Sequence, residues 1–231
     1  MGEFITRRYY IMTHKIDTVI FDLDGTLLNT LTDLTNSVNY AMEQYHFPTH
    51  SEDAVRRMVG NGIYVLFEQA IPNGRNFPEY DACVKTFQEH YEVHKKDFTR
   101  PFPGILELLK HLSQDGYKLA IVSNKFDQAV KELCKDFFTP YITTAIGESQ
   151  SIARKPAPDT VFEAMKELGS TPDTCIYVGD SDVDIATAKN SGIPCISVTW
   201  GFRDQEFLIQ HGGTHFAHHA DDIPTLLTNW N

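Results

Sequence analysis

Two aspartates set two residues apart, Asp22 and Asp24, stand in Asp22-Leu23-Asp24-Gly25-Thr26-Leu27, directly after a short apolar run. Side chains two apart on extended backbone point to the same side, so both carboxylates can enter one pocket around Leu23, and Gly25 then allows a sharp turn. Alone, the pair reads equally well as an acidic turn after a strand. It is joined by Ser123-Asn124 after Ala120-Ile121-Val122, by Lys155-Pro156, and by Val178-Gly179-Asp180-Ser181-Asp182-Val183-Asp184. Together these residue types meet the needs of phosphoryl transfer. An aspartate can attack phosphorus and form an aspartyl phosphate. Repulsion between a carboxylate and a phosphate dianion calls for a hard cation with oxygen ligands, and Mg²⁺ held by Asp22 and Asp180 answers that need. Lys155 would place a positive charge against the phosphoryl oxygens and fix the nucleophile, while Ser123 would donate a hydrogen bond to the same group. Asp24 is left for proton transfer, first to the leaving oxygen and then from an attacking water.

Such a site needs a scaffold that ends several strands at one edge. Short β-branched runs at Thr18 to Phe21, Lys118 to Val122, Ile142 to Ile146, Cys175 to Val178 and Pro194 to Val198 read as buried parallel strands. Helix-period segments alternate with them at Gly104 to Gln114, Asp127 to Asp136, Asp159 to Leu168 and Asp182 to Asn190, so the fold class is α/β. Open α/β sheets place their sites at the carboxyl ends of strands, where the aspartates fall. Residues 30–100 break the alternation. Helical stretches at Leu31 to Tyr45, Ser51 to Met58, Ile63 to Ala70 and Tyr80 to His94 are separated by Phe47-Pro48, Gly60-Asn61-Gly62 and Pro72-Asn73-Gly74. This reads as a helical insert in a core made of residues 1–29 and 101–231.

The motifs Asp22-Leu23-Asp24-Gly25-Thr26, Ser123, Lys155 and Gly179-Asp180-Ser181-x-x-Asp184 resemble the four ordered motifs of the haloacid dehalogenase superfamily. The resemblance covers the chain from Ile16 onward. It implies a Rossmann-like parallel sheet, with residues 30–100 as an α-helical cap closing over the site. It implies Mg²⁺ held by Asp22, Asp180 and the backbone carbonyl of Asp24, with Asp184 as a supporting carboxylate. An aspartate at position 24 is similar to the phosphatase and mutase pattern of the superfamily and demotes dehalogenation and phosphonate hydrolysis.

Val59-Gly60-Asn61-Gly62, Val122-Ser123-Asn124-Lys125, Lys155-Pro156-Ala157-Pro158 and Thr199-Trp200-Gly201-Phe202 resemble phosphoglycolate phosphatases. The expected function is hydrolysis of a small phosphomonoester, with 2-phosphoglycolate as the first substrate to try. A β-phosphoglucomutase-like phosphosugar mutase, a pyrophosphatase and a catalytically silent binding domain stand as alternatives. Release of inorganic phosphate separates hydrolysis from mutase chemistry. The expected substrate-binding set is Thr26, Asn124, Arg56, Gly60, Asn61 and Gly62, with Arg56 or Arg57 facing a substrate carboxylate. The same glycines read equally well as a turn between helices with the arginines solvated. Lys125 reads either as a phosphate contact or as a solvated side chain, and Asp182 as N-terminal helix charge. Phe67, Phe87 and Tyr91 read as cap core. His211, His215, His218 and His219 read as a surface loop rather than a metal site.

The chain has 231 residues, with 20 Lys and Arg against 31 Asp and Glu, a formal net charge of −11. That balance disfavours a nucleic-acid binder, which needs a basic face, and leaves a small phosphorylated metabolite as partner. Cys83, Cys134, Cys175 and Cys195 lie far apart and read as reduced, buried side chains. No run approaches the roughly 18 apolar residues of a membrane span. Residues 1–14 lack the apolar core of a signal peptide, and Met12 is an alternative start. A cytoplasmic protein, monomeric or weakly homodimeric, is expected.

Overall fold

The computed structural model describes residues 16–230, so Met12 and its neighbours lie outside the described residues. Strand β1 is Thr18–Phe21 and β2 is Leu28–Asn29. Helices α1 (Leu31–Gln44), α2 (Glu52–Met58), α3 (Ile63–Ala70) and α4 (Tyr80–His94) follow without an intervening strand. The chain returns through β3 (Arg100–Pro101), α5 (Ile105–Gln114), β4 (Lys118–Phe126), α6 (Asp127–Phe138) and β5 (Thr144–Glu148). Helix α7 (Asp159–Leu168), β6 (Cys175–Gly179), α8 (Asp182–Ser191) and β7 (Cys195–Val198) continue the alternation. Helix α9 (Gln205–Gln210), β8 (Phe216–Ala217) and α10 (Asp222–Thr228) end it.

Six strands form one parallel sheet in the order β5-β4-β1-β6-β7-β8, with β1 in the middle. Alternate residues of each strand feed opposite faces, as the period of two dictates. Val19, Phe21, Ile121, Ile176 and Val178 pack with α5, α6 and α10. Ile20, Ala120, Val122, Cys175 and Tyr177 pack with α7 and α8 on the other face. Both faces are covered, which is why these strands read as continuous apolar runs. The fold is therefore the α/β, Rossmann-like sheet with an inserted helical cap.

Helices α1 to α4 surround a core of their own, built from Val38, Met42, Val55, Leu66, Phe67, Cys83 and Phe87 among others. Two short strands carry the chain between the parts: Leu28 pairs with Pro101 and Asn29 with Arg100, antiparallel. Beside them the buried Asp33 carboxylate accepts the backbone N–H groups of Phe98 and Thr99, at 3.0 and 2.8 Å, fastening the start of α1 to the returning chain. All four cysteines are free; Cys195 is half-buried rather than buried. No helix among the described residues is long and apolar enough to cross a membrane.

Candidate active site

Neighbouring β1, β4 and β6 bring Asp22, Ser123 and Asp180 together at one edge of the sheet, the two aspartates just past their strands and Ser123 within β4. Lys155 reaches the same point from the loop before α7. All four are buried, and all line a cavity of about 540 Å³ between sheet edge and cap, with Asp24, Asn124 and Lys125 beside them. Lys155 Nζ donates to Asp22 Oδ1 at 2.6 Å and to Asp184 Oδ1 at 2.8 Å. Tyr177 Oη, 3.0 Å from both Lys155 Nζ and Asp184 Oδ1, closes this triangle. Asp184 is further held by Ser181, whose N–H and Oγ both donate to Oδ2, a capping box at the start of α8. Asp180 Oδ2 accepts the N–H of Phe202 at 2.6 Å.

The charges do not balance locally. Asp22, Asp180 and Asp184 each offer an oxygen within 4.8 Å of the others, and this is the one cluster among the described residues able to hold a metal ion. Burial, and then the neighbouring carboxylates Asp184 and Asp180, lift Asp22 well above the usual carboxylate range against the pull of Lys155. Burial and Asp184 push Asp180 up to about 7. Burial works against the Lys155 charge, but Asp184 and Asp22 outweigh it and hold the ammonium protonated. Three carboxylates with one lysine leave an excess negative charge, and an all-oxygen donor set suits a hard divalent cation such as Mg²⁺. Each oxygen of Asp184 accepts two hydrogen bonds, whereas Asp22 Oδ2 and Asp180 Oδ1 meet only the shared Thr26 hydroxyl, at 3.5 and 3.2 Å, which leaves Asp22 and Asp180 as the more available ligands.

Other expected binding residues fall in different places. The Thr26 hydroxyl is buried 3.2 Å from Asp180 Oδ1 and 3.5 Å from Asp22 Oδ2, so it braces the acids and is not part of the cavity wall. Gly60 and Gly62 line the cavity, but Asn61 does not. Arg56 is also outside the wall, because its guanidinium bonds Asp53 and donates to the Phe202 carbonyl at 2.5 Å. Asn124 Nδ2 donates to the carbonyls of Gly60 and Lys155, both at 3.0 Å, tying cap to core. Phe87 and Tyr91 belong to the cap core and also line the cavity. Asp182 sits in the first turn of α8 and is 4.0 Å from Arg203 Nε. The histidines separate: His211 bonds the Phe207 carbonyl, His215 bonds Thr214 and His218 bonds Thr199, while His219 lies 4.0 Å from Asp222.

Sequence reasoning missed Tyr177, Thr30, whose Oγ1 donates to Asp24 Oδ1 at 2.7 Å, and Arg203, which lines the cavity. Tyr177 carried one signal, since a tyrosine inside a fully buried strand needs a partner for its hydroxyl. Arg203 acts through contacts with residues 56–59, a segment distant in the chain, and the Thr30 hydroxyl reaches back six residues to Asp24, neither of which spacing reveals.

Residues 19–198 match the family profile described as haloacid dehalogenase-like hydrolase. The chain belongs to that family. Among relatives of this hydrolase, a phosphoglycolate phosphatase of Mesorhizobium japonicum is 33% identical over 191 residues, 81% of this chain and 84% of the relative. A phosphoglycolate phosphatase of Caulobacter vibrioides is 31% identical over 220 residues, 92% of each chain. A solved structure from Lactobacillus delbrueckii subsp. bulgaricus superposes on this hydrolase with TM-score 0.88 and 37% identity, covering 92% of this chain and 98% of its own.

Proposed function

We propose that this hydrolase is a Mg²⁺-dependent phosphomonoesterase that works through an aspartyl phosphate on Asp22. The observation that carries the reading is the convergence of Asp22, Asp24, Ser123, Lys155 and Asp180 on one cavity beneath the cap. Asp22 attacks phosphorus as the bond to the leaving oxygen breaks, and Asp24 gives that oxygen a proton. Asp24 then takes a proton from water, whose oxygen attacks the phosphorus and frees Asp22 and inorganic phosphate. Lys155 fixes the attacking carboxylate, and Ser123 donates to the transferring group. Mg²⁺ bound by Asp22, Asp180 and the carbonyl of Asp24, with Asp184 in support, would neutralise phosphoryl charge. Residues 30–100, acting as the cap, exclude water and select small substrates. The names of the relatives put 2-phosphoglycolate first among these. Purified enzyme with Mg²⁺ should release phosphate from it or from another small phosphomonoester. The Asp22→Asn protein, folded by circular dichroism, should lose at least about a thousandfold of that rate. Full activity in that variant would overturn the covalent mechanism, and full activity after chelation would overturn the metal assignment.

A further inference from the structure

Lys125 has no part in the steps above, yet its ammonium is buried where core meets cap. Its Nζ lies 3.0 Å from Asp24 Oδ1, donates to Tyr91 Oη on α4 at 3.0 Å, and stands 4.7 Å from the centre of the Tyr91 ring. The side chains of Lys125 and Asp24 are 8% and 13% exposed, so the contact is little screened by water. Thr30 Oγ1 donates to the same Oδ1 at 2.7 Å. Asp24 is thus gripped by one oxygen, and Oδ2, which receives no hydrogen bond from the described residues, is left to exchange a proton. The Lys125 backbone N–H meanwhile donates to Ser123 Oγ at 3.2 Å. One residue therefore links the expected phosphate-binding serine, the acid and the cap.

We propose that Lys125 is a positioning residue for proton transfer: it holds Asp24 with Oδ2 available to the leaving oxygen, and Tyr91 seats Lys125 when the cap is closed. This rests on Asp24 being the acid–base. The consequence depends on the leaving group. An alkoxide leaves well only when protonated, whereas p-nitrophenolate is stable enough to leave without a proton. Loss of Asp24 positioning must therefore fall on alkyl phosphates selectively, an effect that a general loss of structure would not produce.

The test measures kcat/KM, which reports the steps through cleavage of the leaving group, on p-nitrophenyl phosphate and on the best alkyl phosphomonoester of a panel containing 2-phosphoglycolate and glycerol 3-phosphate. Lys125→Met should lose about ten- to a hundredfold more on the alkyl substrate than on the aryl one, part of the usual worth of a general acid. Tyr91→Phe should lose less, in the same direction, and Lys125→Arg should restore most of the difference. Adding Lys125→Met to Asp24→Asn should cost less than about threefold further, because residues acting as a unit are not additive. Equal losses on both substrates, or losses that multiply in the double variant, overturn the proposal. If Lys125→Met does not fold, Tyr91→Phe decides by the same comparison. If Asp24→Asn itself shows no selectivity for the alkyl substrate, the reading of Asp24 falls and this proposal with it. If Asp24→Asn shows that selectivity and Lys125→Met does not, only this proposal falls.

Discussion

Asp180 shows how closely backbone and charge are fitted at this site. A Cβ on Gly25, whose φ is +94°, would lie 2.4 Å from the Asp180 carboxylate, and one on Gly201 would lie 2.3 Å from Asp180 Cβ. Two glycines therefore let loops close on the acid, shielding it from water and lifting it to about 7. The sign of the stability effect follows. In metal-free protein, folded Asp180 holds a proton between about pH 4 and 7 that the unfolded chain has released, so its contribution is present below about pH 4 and is lost as pH rises through 7. Chemical unfolding of metal-free protein should show stability falling across that window by on the order of a few kcal/mol from this group, and Asp180→Asn should flatten the slope. Equal slopes in both proteins would refute the assignment. That Asp22, Asp24, Ser123, Lys155 and Asp180 meet at one cavity was legible in the sequence because four of the five follow expected strands, at the edge where an open α/β sheet forms its clefts. Thr26 and Arg56 were misplaced because spacing does not say what a side chain meets: carboxylates for one, Asp53 and the Phe202 carbonyl for the other.

Between elements, the loop after β7 joins the buried acid cluster and the cap. Its Phe202 N–H holds Asp180, while Arg203 Nη1 donates to the Arg56 carbonyl at 2.8 Å and Nη2 to the Val59 carbonyl at 2.7 Å. The last carbonyls of a helix lack partners within it, so a core arginine caps the C-terminal end of α2. Arg56 answers by donating to Phe202. Arg203→Ala should loosen this latch: backbone amides at the end of α2 should exchange with deuterium faster, and KM for p-nitrophenyl phosphate should rise about three- to tenfold as closure becomes less favoured. Unchanged exchange would show that the cap is held elsewhere. The core helices and most strands were legible from periodicity, with instructive exceptions. The expected strand Lys118 to Val122 runs on to Phe126, because Ser123, Asn124 and Lys125 are polar for the sake of the site rather than of water. The expected Ile142 to Ile146 shifts to Thr144–Glu148, since Ile142 is buried without pairing. Helices α9 and α10 and strand β8 have six, seven and two residues, too short for a periodic signal.

For the whole molecule the governing quantity is charge. The site's carboxylates contribute to a net of −11, and Mg²⁺ would cancel only two units of it. A phosphomonoester dianion therefore approaches a body of its own sign, and Lys125, Lys155 and Arg203 on the cavity wall attract it only at short range, each already bonded to acids or carbonyls. Long-range fields fade over a Debye length, about 30 Å at 0.01 M salt and about 8 Å at 0.15 M, whereas contacts inside a closed cavity are screened far less. Added salt should consequently relieve the repulsion while leaving the site chemistry intact. At fixed free Mg²⁺, raising an inert monovalent salt between those concentrations should increase kcat/KM for a small phosphomonoester about two- to threefold with little change in kcat. A decrease would mean that the three cavity cations dominate the approach and that the cap mouth, unlike the rest of the surface, is an electropositive funnel.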